Sequence, residues 1–306
     1  MQINKAVVPA GGRGTRLYPV TKAQPKEMLP LGGRPTIQGV AEELLLAGIN
    51  DILIITSEGK RAIEDHFDPM VGRDGSKVSP EDDSPLFDRS AVTFSYTRQG
   101  APRGLGDAVA CGRRFVDDEH FVVSLGDCLI LSREPVAPLQ RMIAAHTEHN
   151  AAASILMQRV SLEATSRYGI ADPGDAAGDT AFVMRDIVEK PGPDAAPSRF
   201  AVAARYVFSP ILFDYLSAQK PGLGAEIQLT DAIRAMIADG HTVLGVPLAP
   251  GERRLDVGNL ESYARAFVRT MLTDADRGEG LRAYVANLLA HIDDPSHPDP
   301  DLPPDS

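Results

Sequence analysis

Only two of the 306 residues are cysteine. Cys111 and Cys128 each lie inside an apolar segment, which suggests neither a disulfide framework nor a zinc site. Both read as small buried residues of a protein in a reducing compartment. No stretch reaches the roughly 18 consecutive apolar residues of a membrane span, so a bilayer is not an expected partner. The opening residues, Met1-Gln2-Ile3-Asn4-Lys5, run straight into a strand-like segment. They lack the regions of a signal peptide, and a cytoplasmic location is expected. Positive charge is also scarce: 31 Lys and Arg face 42 Asp and Glu, for a net charge of −11. That balance argues against nucleic acid or an anionic membrane as the main partner, although a local basic loop could still hold a phosphate. There is no internal repeat, no Gly-Lys-Ser/Thr of a Walker loop and no Gly-x-Gly-x-x-Gly. Without that fingerprint and its ribose-binding acid, a dehydrogenase is excluded.

What is present is 43% apolar residues, enough for one large α/β domain or two closely joined ones. Short apolar runs alternate with amphipathic stretches. Strands are expected at Lys5–Ala10, Ile52–Thr56, Val92–Tyr96, Phe121–Leu125, Ala153–Met157, Val183–Val188, Val202–Phe208 and Thr242–Val246. Helices are expected at Pro35–Gly48, Lys60–Phe67, Ala108–Phe115, Pro138–His149, Ile211–Gln219, Thr230–Asp239 and through most of Glu261–His291. Met70–Arg89, rich in Gly, Pro and acids, reads as a loop. The Pro- and Asp-rich end from Asp293 reads as a disordered tail. The alternation implies a mostly parallel sheet with helices on both faces, its site at the carboxyl ends of the strands near a switch in strand order.

The strongest chemical signal is Gly11-Gly12-Arg13-Gly14-Thr15-Arg16, followed by Pro25-Lys26-Glu27-Met28. Glycines after a first strand let backbone N–H groups approach phosphates. Arg16 can grip phosphate oxygens in a fork, and Lys26 can supply a point charge where a phosphoryl group transfers. By composition alone, a glycine turn with surface basic residues is an equal reading. Asp127 follows an apolar strand and Gly126; a carboxylate there suits Mg²⁺ or, taken alone, a turn or helix cap.

The whole string from Ala6 to Pro30 (AVVPAGGRGTRLYPVTKAQPKEMLP) resembles the opening of bacterial UTP–glucose-1-phosphate uridylyltransferases, part of the wider sugar-phosphate nucleotidyltransferase family. The resemblance continues at Lys60–Asp68 (KRAIEDHFD), Arg98–Val109 (RQGAPRGLGDAV), Val188–Pro191 (VEKP) and Ala225–Ile233 (AEIQLTDAI), and so spans roughly residues 5–270. It implies a Rossmann-like α/β fold with a mixed, mostly parallel sheet and a sugar-binding subregion. The implied organisation is a nucleotidyltransferase domain over 1–270, a helical segment over 271–292 and a tail over 293–306.

Carried over position by position, the resemblance implies that Ala10, Gly11, Gly12, Gly14, Thr15, Arg16, Gln99, Gly104 and Gly106 bind the nucleotide. An amide such as Gln99 both donates and accepts, as reading a pyrimidine requires. Asp127 and Asp256 would hold Mg²⁺. Gly169, Glu189, Lys190 and Glu226 would face the sugar phosphate, and Arg16, Lys26 and Lys190 would carry the chemistry. For Glu189 and Lys190 the plain alternative is an exposed charge pair of little energetic value.

The implied reaction transfers UMP from UTP to glucose 1-phosphate or a relative and releases pyrophosphate, in a dimer or tetramer, with Glu261–His291 as a contact surface. The alternatives are the same chemistry with dTTP, CTP, GTP or ATP and a modified sugar or cyclitol 1-phosphate, and a non-catalytic nucleotide-sugar sensor. Three departures bear on substrate and assembly. Asp107 stands where many uridylyltransferases have His, Leu260 stands where glucose enzymes commonly place Lys, and Met70–Arg89 is shorter and more loop-like than in close relatives.

Overall fold

The computed structural model describes residues 2–68, 86, 91–176, 178, 180–222 and 225–293. Apart from Leu86 and Asp293, the expected loop at Met70–Arg89 and the expected tail lie outside them. In chain order the elements are β1 (Lys5–Pro9), β2 (Pro30–Leu31), β3 (Arg34–Pro35), α1 (Thr36–Leu46), β4 (Asp51–Thr56), α2 (Arg61–Phe67) and β5 (Thr93–Arg98). Then come α3 (Leu105–Ala110), α4 (Arg113–Val116), β6 (Phe121–Ser124), β7 (Cys128–Leu131), α5 (Ala137–Glu148), β8 (Ala153–Arg159), β9 (Gly169–Asp172), β10 (Phe182–Val183), β11 (Asp186–Glu189) and β12 (Phe200–Phe208). The chain closes with α6 (Leu212–Ala218), α7 (Leu229–Ala238), β13 (Val243–Pro247), β14 (Arg253–Asp256), α8 (Leu260–Thr273) and α9 (Gly278–Ala290).

Ten strands make one sheet, in the order β10-β13-β8-β12-β6-β1-β4-β5, with β9 and β11 branching from β12. β5, β4, β1 and β6 are mutually parallel. β12 runs against both β6 and β8, β13 is parallel to β8, and β10 is antiparallel to β13. The sheet is therefore mixed and mostly parallel, as expected. The chain leaves β1 for β4 and β5, then returns to β6 on the other side of β1. This reversal opens a crevice at the carboxyl ends of β1 and β6.

Alternation along the central strands sends side chains to two cores. Val7, Phe121 and Val123 join the core under α3, α6 and α7, where Phe121 stacks on Phe213 at 5.2 Å. Ala6, Val8 and Val122 join the core under α1, α2 and α5. Both faces are covered, so these strands are apolar throughout rather than in every second position.

The structure corrects several expectations. The single strand foreseen over Val183–Val188 is two: β10 pairs with β13, and β11 pairs with β9. The chain changes partner at Met184 and Arg185, whose N–H groups donate to Val243 and Asp172 respectively. The helix foreseen over Ala108–Phe115 begins earlier and breaks at Gly112, where a Cβ would stand 2.8 Å from Val7 Cγ2. Cys111 is only half-buried, whereas Cys128 is buried and its thiol is pushed up to about 12 by burial. The C-terminal helical region is two helices separated by Asp274–Arg277, the first held by a reciprocal cap between Asn259 and Ser262. β7, β9 and β14 were not foreseen, and β7 and β14 form a small antiparallel ribbon apart from the main sheet.

Candidate active site

The glycine loop begins where β1 ends. The N–H of Ala10 donates to the Ile55 carbonyl at 2.8 Å, and the Gly11 carbonyl accepts from Ser57 Oγ at 2.7 Å. A Cβ on Gly11 would stand 3.2 Å from Gln99 Oε1, and one on Gly12 would stand 3.5 Å from Lys26 Nζ. The two glycines thus let the backbone pass between an amide and an ammonium. Gly14 takes the left-handed conformation (φ 65°) and its carbonyl accepts from Thr21 Oγ1. Its N-cap position starts the short turn Thr15–Leu17 that carries Arg16.

Two carboxylates meet this loop through backbone pairing. Leu125 donates to the Ala204 carbonyl and Gly126 to the Pro9 carbonyl, which fixes the turn bearing Asp127. Asp256, the last residue of β14, lies opposite Cys128 in the β7–β14 ribbon, and the Val257 N–H donates to the Asp127 carbonyl at 3.1 Å. Gly258 N–H donates to Asp256 Oδ1 at 2.5 Å. A Cβ on Gly258 would stand 3.4 Å from an Arg16 guanidinium nitrogen, so Arg16 lies beside the Asp256 turn. Lys26 Nζ is paired directly with Asp127.

Electrostatics keep this group ionised. Burial alone would lower the Lys26 pKa, but Asp127, Glu27 and Asp256 outweigh it and the ammonium is raised above its usual range. Burial alone would raise Asp127, but Lys26 and a lesser effect of Arg254 hold it below the usual carboxylate range. Beneath them, Glu27 and Lys60 form a buried ion pair at 2.6 Å. Arg205, wholly buried, grips Glu43 of α1 with two bonds and also donates to the Cys128 carbonyl at 2.9 Å. Breaking such a pair strands a buried charge, which costs about 3–5 kcal/mol.

Gly11, Gly12, Thr15, Arg16, Lys26, Asp127 and Glu226 line a cavity of about 520 Å³ that continues to Gln99, Gly104, Leu105 and Ala108. Ala10, Gly14 and Gly106 shape its backbone without lining it. Gly106 is packed against Ile227, whose carbonyl would lie 2.8 Å from an added Cβ. Glu226, expected on the sugar side, stands on the wall of this cavity beside Gly104 and accepts from Gln228.

A second cluster sits on β9 and β11. Glu189 accepts from Thr230 Oγ1 at 2.7 Å and pairs with Lys190 at 3.1 Å. A Cβ on Gly169 would stand 3.3 Å from the Glu189 carboxylate, so these residues enclose one small space. The Lys190 N–H donates to the Tyr168 carbonyl. Arg254 stacks 4.3 Å over the Tyr168 ring and pairs at 3.6 Å with Asp256, which links the two clusters.

The model of the nucleotidyl transferase family matches residues 5–271. The chain belongs to the nucleotidyl transferase family. It is 43% identical to the UTP–glucose-1-phosphate uridylyltransferase of Bacillus subtilis, across 94% of this chain and 98% of that protein. The corresponding protein of Staphylococcus haemolyticus is 38% identical, across 94% of this chain and 99% of that one. Among solved structures, a UDP-glucose pyrophosphorylase complexed with UDP-glucose superposes with a TM-score of 0.77 at 34% identity, covering 87% of this chain and 97% of that one. A UTP-bound enzyme from Acinetobacter baumannii superposes at 0.80 and 31% identity, covering 94% and 100%.

Sequence reasoning missed four parts of this nucleotidyl transferase site. Lys60 is the buried partner of Glu27, Thr230 orients Glu189, Arg205 supports the Asp127 turn, and Arg254 bridges the clusters. Lys60 and Thr230 lie inside motifs that the resemblance had already marked. Arg205 and Arg254 have no local signal beyond a cation in an otherwise strand-like run.

Proposed function

We propose that this nucleotidyl transferase moves UMP from UTP to glucose 1-phosphate and releases pyrophosphate. The observation that carries the reading is the meeting of Arg16, Lys26 and Asp127 at one cavity on the switch point of the sheet, with Asp256 joined to the Asp127 turn through the β7–β14 ribbon. The printed activities of the Bacillus and Staphylococcus relatives supply the substrates.

The acceptor is its own nucleophile, because a phosphomonoester has its second pKa at about 6 and is largely dianionic near neutrality. No general base is required, and the work is positioning plus charge stabilisation. Lys26 and Arg16 stabilise the triphosphate and the transferring α-phosphoryl group. Lys190 holds the acceptor phosphate in line, and Glu189, held by Thr230, accepts hydrogen bonds from sugar hydroxyls. The Gly11–Gly12 backbone, Gly104 and Gln99 bed the nucleoside.

Asp127 and Asp256 make a two-carboxylate set, with no larger grouping of three or more His, Cys, Asp or Glu suited to a metal among the described residues. That set fits Mg²⁺, which takes one or two carboxylates and fills its remaining positions with phosphate oxygens and water. When bound it supplies Lewis-acid stabilisation of phosphate charge. We assign the reaction to the cytoplasm; among the described residues no helix is long and apolar enough to cross a membrane. The exposed Val268, Tyr284, Leu288 and Leu289 of α8 and α9 are the face we assign to a second copy, to be tested by light scattering of the protein with and without Leu289→Asp.

The test of function crosses UTP, dTTP, CTP, ATP and GTP with a panel of sugar and cyclitol 1-phosphates and reads pyrophosphate release. UTP with glucose 1-phosphate is expected to be fastest. Another pair that exceeds it tenfold would overturn the substrate assignment, and no release with any pair would overturn the enzyme.

A further inference from the structure

The cavity that holds Lys26 has two unlike ends. One carries the cations and carboxylates that suit phosphates. The other is walled by Pro102, Gly104, Leu105 and Ala108, with Gln99 as its amide. Gln99 is 7% exposed, and its orientation is settled by its neighbours. Nε2 donates to Asp107 Oδ2 at 2.7 Å and to the Gly104 carbonyl at 3.2 Å. Both neighbours can only accept, so both amide hydrogens are used and the opposite orientation would set oxygen against oxygen. Oε1 receives no bond among the described residues and lies on the Gly11 side, 3.2 Å from where a Cβ would stand. Asp107 is itself buried and is held by two bonds from Arg103, at 2.7 and 3.1 Å to Oδ1. The chain Arg103–Asp107–Gln99 thus turns an ambidextrous amide into a pure acceptor.

We propose that Asp107 is a positioning residue for base selection: by fixing Gln99 as an acceptor, it favours a base whose ring nitrogen donates, uracil or thymine, over cytosine. This rests on the reading that the cavity binds UTP. The imide N–H of uracil can donate to Gln99 Oε1, whereas the corresponding ring nitrogen of cytosine is an acceptor. Two acceptors facing each other in a desolvated cleft leave both unpaired, which is the kind of mismatch that gives strong discrimination.

The test is calorimetric binding of UTP and of CTP to the full-length protein, wild type against Asp107→Asn and Arg103→Ala. Asp107→Asn keeps the shape but adds a donor that can bond Gln99 Oε1 and let the amide turn. The ratio of CTP to UTP dissociation constants is expected to fall at least tenfold in Asp107→Asn, and several-fold in Arg103→Ala. A merely structural role would weaken both nucleotides together and leave the ratio in place. A ratio unchanged within twofold in Asp107→Asn overturns the proposal. If that variant loses its cooperative thermal transition, the same result in Arg103→Ala, which alters a largely exposed side chain, overturns it instead. Wild-type protein that prefers UTP over CTP but releases no pyrophosphate with any sugar phosphate would sink the proposed reaction and leave this assignment standing.

Discussion

The two ends of the site are built differently. The phosphate end is set in buried backbone: the Asp127 turn is pinned by β12 and β1, joined to Asp256 through the β7–β14 ribbon, and supported by the wholly buried Arg205. The cluster proposed to hold the acceptor rests on side chains of β11 and the residue after it. Lys190 is 43% exposed, and its partner Glu189 is oriented by one hydroxyl. The contrast suits the proposed reaction. Stabilising charge in a transition state rewards groups that need no reorganisation, while holding a sugar phosphate tolerates a lysine that can move. It also predicts which changes should reach turnover and which should reach only binding.

The largest effect is expected at the junction itself. Lys26→Ala should lower turnover by roughly 10²–10³-fold, as does removal of one preorganised donor to a developing charge. The KM for UTP should change far less, and steady-state kinetics showing the reverse would remove Lys26 from the chemical step. Next is the support beneath it. Arg205→Met should leave Glu43 unpaired and cost about 3 kcal/mol of stability in urea unfolding. A loss under 1 kcal/mol would mean that the Asp127 end is no more rigidly founded than the Glu189–Lys190 end, and the contrast would fail.

Lys190→Ala should raise the KM for glucose 1-phosphate about tenfold, a loss of about 1.4 kcal/mol, with the KM for UTP little altered. A fall in turnover matching that of Lys26→Ala would erase the distinction between the two ends. The smallest effect is expected from pH. The raised pKa of Lys26 means its pairing contributes fully below 10.5 and fades only as pH rises through the still higher folded value. The lowered pKa of Asp127 means its contribution is full above 3.8 and fades only as pH falls through the folded value. Between those limits the pair should add no titration to the rate profile. The acid limb should be that of the acceptor phosphate, near 6, and should move up when a less acidic phosphonate analogue replaces the acceptor; a limb that stays in place would assign it to an enzyme group and contradict this.

Legibility varied along the chain for physical reasons. β1, β4, β6 and β12 were visible because strands covered on both faces are continuous apolar runs. β14 was not, because Arg253-Arg254-Leu255-Asp256 carries only one apolar residue and is a strand by virtue of its partner β7. The break at Gly112 was hidden because the residues on either side look helical, and the need for glycine there comes from a close approach to Val7 far away in sequence. Asp107 was noticed as a departure from the uridylyltransferase pattern, but its hold on Gln99 needed the helix start at Leu105 to bring the two together.

By itself the sequence determined the chemistry available: a glycine loop able to approach phosphates, cations at Arg16 and Lys26, and carboxylates at Asp127 and Asp256. These follow from residue type and local spacing, which the chain carries wherever it goes. Only the tertiary structure decided that Asp127 and Asp256 both act on the Lys26 ammonium, that Glu226 joins the cavity lined by Lys26, and that Gln99 shows its oxygen. Those outcomes depend on hydrogen-bonded pairing between segments distant in the chain, and no local pattern encodes which strand another will meet.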